Sequence, residues 1–202
     1  AWTHRRPSLA RRLRNGGLRA YSRVQIHEKR RVRGRDFVRV GPERWVRADR
    51  VRTARRRAPP AGVGAGERWI HVHLAEWTLV AYQGNKPVFA TVVSRGRKTP
   101  RGTFRVTRKV PQAALRLFLK RGGGRVQVEL EAVPWVVYFR PRIAFHAAYW
   151  HDLFGARLSR GCINLSPADA RWLFGFTSPR LRPGWYSVRP SARERGTFVV
   201  VE

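Results

Sequence analysis

The sequence predicts a mainly β protein, a curved sheet or β-sandwich with short helices, preceded by a small β segment. Three observations predict it. Short runs of β-branched and aromatic residues recur between Gly, Pro and Asn turn signals. Apolar residues alternate in several of these runs, the period of a half-buried strand. The chain has 202 residues, 43% hydrophobic and 11% aromatic, which is enough to bury a real core.

Residues 1–20 are Arg-rich, with a Gly16-Gly17 pair and few apolar residues, and read as a solvated basic arm. Residues 21–53 read as a small β module, with apolar stretches at 21–26, 37–40 and 45–46 separated by turns at Gly34 and Gly41-Pro42. The module resembles an SH3-like fold. Residues 54–67 have the Pro, Gly and Ala content of a linker. The main domain, residues 68–202, opens on an alternating strand at 69–74. Ile70, Val72 and Leu74 lie on one face; Trp69, His71 and His73 lie on the other. Runs at 78–82 and 88–93 flank Gln83-Gly84-Asn85-Lys86-Pro87 and predict a hairpin. Further strands are predicted at 103–107, 126–133, 135–139, 143–146, 185–188 and 197–201. One helix is predicted over 112–120, stopped by Gly122-Gly123-Gly124. A second starts at Ser166 as N-cap, with Pro167 at the first helical position and Asp169 at the third.

The formal net charge is +31, carried by 38 Arg and 5 Lys. Residues 1–58 hold 20 basic and 4 acidic side chains, the denser share. Such a chain is drawn to polyanions, whether nucleic acid, anionic lipid or an acidic envelope polymer. No run of 18 apolar residues is present, so no segment reads as a membrane span. Residue 1 is Ala and Met is absent, so the chain reads as trimmed, and a signal peptide ahead of Ala1 would not be visible.

Cys162 is the only cysteine, which excludes an internal disulfide and an unaided zinc site. His71 and His73 share a strand face but lack a Cys or carboxylate at ligand spacing, so they read as an ordinary polar face. Neither a metal nor an organic cofactor is expected. Around the thiol runs Ser159-Arg160-Gly161-Cys162-Ile163-Asn164. Gly161 lets the backbone approach a ligand closely or take positive φ. Arg160 is a cation beside the thiol, which would favour thiolate. Successive amides at such a turn can hold an oxyanion. A nucleophilic thiol needs a base. His146 ends a predicted strand 16 residues upstream; His151, with Asp152 beside it, is a rival.

The stretch Val93-Ser94-Arg95-Gly96, then Thr99-Pro100-Arg101-Gly102-Thr103-Phe104, then His146, then Ser159 to Asn164 resembles the L,D-transpeptidase catalytic domain over about residues 68–202. The resemblance implies that Cys162 attacks the amide before the terminal D-alanine of a peptidoglycan stem peptide and that an amine of a second stem resolves the thioester. His146 would be the base, steered by the Ala147 carbonyl. Gly161, Cys162 and Ser159 would shape the oxyanion site. Arg160, Asn164, Arg142, Tyr149, Trp150 and His151 would face substrate. The expected place of action is outside the cytoplasmic membrane, in the periplasm or cell wall, with an anionic envelope polymer as a further partner.

Two positions depart from the family's pattern: Arg160 stands where His is usual, and Ala147 where Gly is usual. Only a carbonyl is needed at the second. Arg160 cannot exchange protons near neutral pH, though it can bind a carboxylate. The alternatives are a Cys amidase or carboxypeptidase of peptidoglycan, an inactive wall-binding relative, and a nucleic-acid binder. The last leaves the Cys motif unexplained.

Overall fold

In a computed structural model, residues 17–121 and 124–202 are described, and they form two compact units divided after Thr53. The predicted arm falls mostly on residues 1–16, outside the described residues. The first unit is an antiparallel meander of β1 (Glu28–Val32), β2 (Arg35–Gly41) and β3 (Arg44–Arg47). Phe37, Val38, Trp45 and Val46 are its buried residues. The stretch at 21–26 is not a strand; its pairing begins only at Glu28.

The second unit is built on two sheets. One has the order β6-β5-β4-β14-β8, from β4 (Arg68–His73), β5 (Thr78–Gln83), β6 (Lys86–Val92), β8 (Gly102–Arg105) and β14 (Phe198–Val201). The other has the order β13-β11-β10-β9, from β9 (Arg108–Arg121), β10 (Gly124–Arg140), β11 (Ile143–Ala147) and β13 (Ile163–Leu165). A two-stranded pair of β7 (Arg95–Gly96) and β12 (Arg157–Ser159) lies beside them in the chain path. One core joins Ile70, Val72 and Leu79 of the first sheet to Val137, Phe145, Ile163 and Leu165 of the second. The helix α1 (Pro167–Phe176) closes this core with Ala170, Leu173 and Phe174. Its start is local chemistry: the Ser166 side chain accepts from the Asp169 amide at 3.1 Å, with Pro167 inside the first turn.

The helix predicted over 112–120 is instead part of β9. Leu115, Leu117 and Leu119 recur every second residue and pair with Leu130, Val128 and Val126 across the hairpin. Ala and Leu favour helix only weakly, and a full cross-strand ladder overrides that preference. The two strands predicted at 126–133 and 135–139 are one, β10, with a register shift between Leu130 and Val133. The strand predicted at 185–188 is reduced to a single bridge between Val188 and Lys109.

Residues 54–66 carry no regular structure, yet they are not a free linker. The Tyr82 hydroxyl donates to the Arg55 carbonyl and accepts from the Arg57 amide, at 3.2 and 3.0 Å. Arg57 also pairs with Glu202, and Val63 packs on the Trp69, Val80, Tyr82 and Phe198 cluster. The polar face of β4 is thus covered. His71 meets Glu202 at 2.9 Å, and His73 accepts from the Glu76 amide. Among the described residues no three metal-type ligands come together.

Lys109 is fully buried on β9, where it donates to the carbonyls of Phe174, Thr177 and Pro179 at 2.7, 2.6 and 2.9 Å. Burial pulls its ammonium down to about 8, so it is still charged at neutral pH. It caps the negative end of α1 and holds the chain that leaves it. Lys109→Met keeps the volume and removes the donors. We expect a loss of about 3 kcal/mol in urea unfolding, since buried carbonyls without partners cost about 1–3 kcal/mol each.

Candidate active site

The outward face of the four-stranded sheet collects the chemistry. β11 and β13 run parallel, with His146 opposite Asn164 and Phe145 opposite Ile163. Phe145 and Ile163 enter the core, so His146 and Asn164 point the other way. Cys162 precedes β13 by one residue, which sets it beside Ala144, and Tyr138 of β10 pairs with Ala144 from the other side. Neighbouring strands lie roughly 4.8 Å apart and rise about 3.3 Å per residue, which puts the Cα atoms of Cys162 and His146 about 8 Å apart.

His146 is almost wholly buried, with Nδ1 2.9 Å from the Ala147 carbonyl. A carbonyl can only accept, so Nδ1 carries the proton and Nε2 keeps its lone pair. Burial pulls the imidazole down to about 4; the Ala147 carbonyl opposes this and His151 adds to it. Ala147 lies outside the left-handed region of backbone space, so a β-carbon is tolerated there. The Trp150 ring lies over His146 at 5.8 Å, nearly parallel to it.

The Cys162 thiol is half-buried and donates to the Arg142 carbonyl at 3.7 Å. Burial pushes it above the ordinary thiol value, partly offset by the Ala144 backbone. This corrects the expectation that Arg160 favours thiolate: desolvation dominates at the sulfur, and the Arg160 side chain is exposed. Tyr138 is pushed up by burial and further by the nearby Cys162. It is thus a neighbour of the thiol.

The loop bearing the thiol is fixed by three consecutive carbonyls. That of Arg160 accepts from the Lys98 amide at 2.8 Å, that of Gly161 from Thr99 Oγ1 at 2.9 Å, and that of Cys162 from Ser159 Oγ at 2.5 Å. Gly161 has no positive φ, and a β-carbon there would meet nothing closer than 3.4 Å. The glycine that the geometry requires is Gly96. A β-carbon on it would sit 2.2 Å from the carbonyl carbon of Arg160 and the amide of Gly161. Ser94 exchanges two backbone hydrogen bonds with Asn164, at 3.0 and 2.8 Å. The Ser94-to-Thr99 stretch is therefore the seat of the thiol loop. That role was hidden because the two segments are some sixty residues apart in sequence.

The remaining candidates are distributed unevenly. His151 Nε2 lies 3.1 Å from Asn164 Nδ2, an amide donor, so its lone pair is already engaged. Tyr149 is exposed, and its hydroxyl donates to the Glu131 carbonyl at 3.1 Å. Arg142 occupies the β10–β11 turn at φ 62° and reaches the thiol through its carbonyl, its side chain being exposed.

Two expectations follow. Gly96→Ala should displace the Arg160–Gly161 peptide, costing about 1–3 kcal/mol of stability and roughly a hundredfold in any reaction of Cys162, read by unfolding and thiol kinetics. The second concerns pH. Below the ordinary histidine value of 6.5 the unfolded chain takes up a proton that folded His146 refuses until about pH 4. Stability should therefore fall as pH drops from 6.5 to 4, by about 3 kcal/mol from this group. His146→Gln should flatten that part of the stability curve relative to the parent protein.

The profile of the YkuD family, described as the L,D-transpeptidase catalytic domain, matches residues 67–201. No curated protein sequence matches the chain. Among solved structures, the LD transpeptidase LdtMt1 in complex with imipenem aligns with TM-score 0.51 at 19% identity, over 89% of this chain and 78% of its own. An L,D-transpeptidase from Mycobacterium smegmatis aligns with TM-score 0.50 at 19% identity, over 83% of this chain and 66% of its own. A third, from Enterococcus faecium, aligns with TM-score 0.46 at 23% identity over 67% of this chain, which spans only 50% of that protein. At 19% identity the first two alignments speak for a shared mainly β fold. The family profile spans both sheets, His146 and the whole Ser159-to-Asn164 stretch, and the chain belongs to the L,D-transpeptidase catalytic-domain family.

Proposed function

We propose that the second unit is a cysteine-dependent peptidoglycan L,D-transpeptidase in which Cys162 is the nucleophile and His146 the base. The observation that carries this reading is the His146 ring: its Nδ1–H is spent on the Ala147 carbonyl, which leaves Nε2 as a lone pair on the face shared with Cys162. In the resting site both partners are neutral, since burial holds the imidazole low and the thiol high. Proton transfer is then part of bond formation. As Sγ adds to the carbonyl carbon preceding the terminal D-alanine of a tetrapeptide stem, its proton passes to Nε2. Collapse of the adduct breaks the C–N bond, and Nε2 returns the proton to the departing amine. A thioester remains. An amine of a second stem attacks it and loses a proton to Nε2; the C–S bond then breaks, Sγ takes that proton back, and the cross-link is complete.

The other residues support this in distinct ways. Amides of Gly161 and Cys162 would hold the developing oxyanion, aimed by the three tied carbonyls and by Ser159. Asn164 and His151 form one hydrogen-bonded pair beside the base and, with Trp150 and Tyr149, would line the donor site. Arg160 and Arg142, both exposed beside the thiol, would receive stem carboxylates; a guanidinium offers two parallel hydrogen bonds where imidazole offers one. The basic surface would hold the enzyme on an anionic envelope polymer, outside the cytoplasmic membrane.

The test is product analysis with purified stem tetrapeptide. We expect cross-linked dimers and free D-alanine by mass spectrometry, none with Cys162→Ala, and a rate lower by about 10²–10⁴ with His146→Ala. Trimmed monomers without dimers would instead mean that water resolves the thioester, the carboxypeptidase outcome. A severe effect of His151→Ala with a mild one of His146→Ala would reassign the base.

A further inference from the structure

On the outer side of α1, away from the thiol, lies an open pocket of about 520 Å³ lined by Arg68, Arg171, Trp172, Gly175, Phe176 and Arg180. α1 packs on the inward face of the four-stranded sheet and the thiol lies on the outward one, so this pocket is separate from the site described above. Three guanidinium groups line it, and among the described residues none of the three has a carboxylate ion pair. Glu194 accepts from the Arg180 backbone amide at 2.8 Å, and Asp169, one turn before Trp172 on α1, accepts from the Thr91 hydroxyl at 2.7 Å. Surface arginines elsewhere in the chain do pair, as Arg57, Arg105 and Arg39 show.

The pocket floor is prepared for an anion. Trp172 stacks on Phe89 at 4.0 Å and on Phe176 at 5.0 Å, and the Arg68 guanidinium lies over Phe176 at 5.4 Å. Arg68 also donates to the Phe176 carbonyl at 3.1 Å. This ladder fixes Arg68 while leaving most of its five N–H donors for a ligand. A helix C-terminus ordinarily repels anions. Here the end of α1 is neutralised, because Lys109 takes the Phe174, Thr177 and Pro179 carbonyls and Arg68 takes that of Phe176. Gly175 sits in the last turn of the helix with nothing within 4 Å of where its β-carbon would be. Glycine costs a helix about 1 kcal/mol relative to alanine, and what it gives in return at this position is open room.

We propose that this pocket binds an oxyanion carried on an anionic envelope polymer, as a docking site that tethers the enzyme without occupying its thiol site. The choice of an envelope polymer rests on the proposed function, which places the substrate in the wall. The geometry favours a charged group over a nucleobase independently of that. The ring faces of Trp172 and Phe176 are taken up by one another, Phe89 and Arg68, whereas single-stranded nucleic acid needs open ring faces to stack on.

The test is equilibrium binding of the full chain, at fixed low ionic strength, to poly(glycerol phosphate), to polygalacturonate and to a single-stranded DNA oligonucleotide of matched charge. The two polymers distinguish a phosphate from a carboxylate ligand. Arg171→Ala/Arg180→Ala should weaken binding of the preferred polymer about tenfold. Arg108→Ala/Arg116→Ala removes the same charge from β9 and should change it by less than about threefold. Gly175→Glu keeps every arginine and fills the pocket with a like charge. It should weaken binding as much as the double variant, which guards against a folding defect in the latter. Tetrapeptide turnover, measured separately, should be unchanged in all three. Equal losses in the pocket and β9 variants would reduce the effect to diffuse charge and overturn the proposal. So would no binding of either polymer, or tighter DNA binding that depends on the pocket arginines. Loss of turnover in the parent protein with pocket-dependent binding intact would sink the transpeptidase reading and leave the pocket standing.

Discussion

The contact between Gly96 and the Arg160–Gly161 peptide sets the position of the thiol. No side chain fits between them, since even one carbon on Gly96 would come within 2.2 Å of backbone. Once those backbones touch, the Lys98 amide, Thr99 and Ser159 can tie the carbonyls of residues 160 to 162. Those ties leave Cys162 one residue ahead of β13, beside Ala144 and on the face of His146. Two segments distant in sequence thus make one turn through a backbone contact and the hydrogen bonds that lock it.

Electrostatics at that turn follow from burial rather than from the abundant positive charge. By charge alone, a chain of net charge +31 would stabilise a thiolate. Its thiol is nevertheless raised by desolvation, while the buried imidazole is lowered. Charges exposed to water are screened over about 8 Å at physiological salt, whereas desolvation acts on the buried atom itself. The sheet decides the protonation state of its buried pair.

What the sequence made legible was local. The α1 start could be read from Ser166, Pro167 and Asp169 because capping involves only neighbours. The β5–β6 hairpin could be read from alternation around Gly84. The stretch at 112–120 is strand although its Ala and Leu content suits a helix, and Leu115, Leu117 and Leu119 recur with a period of two. Cys162 and His146 stood out through their motifs, but their strand register did not, nor did Tyr138 as a neighbour of the thiol. Gly96 and Thr99 could be seen as motif letters; their mechanical purpose lies in residues sixty positions away. Lys109 was invisible for a related reason. A lone lysine in a β run reads as surface, and only the returning chain at 174–179 buries it.

Lys109 also bears on the chemistry of the chain as a whole. Cross-bracing in a small β domain is commonly covalent, through paired cysteines. Here one ammonium gathers three carbonyls from the end of α1 and the segment beyond it, and does that work without sulfur. The chain can then be braced and still contain a single thiol. With no second cysteine in the sequence, Cys162 has no partner among these 202 residues with which to form a disulfide.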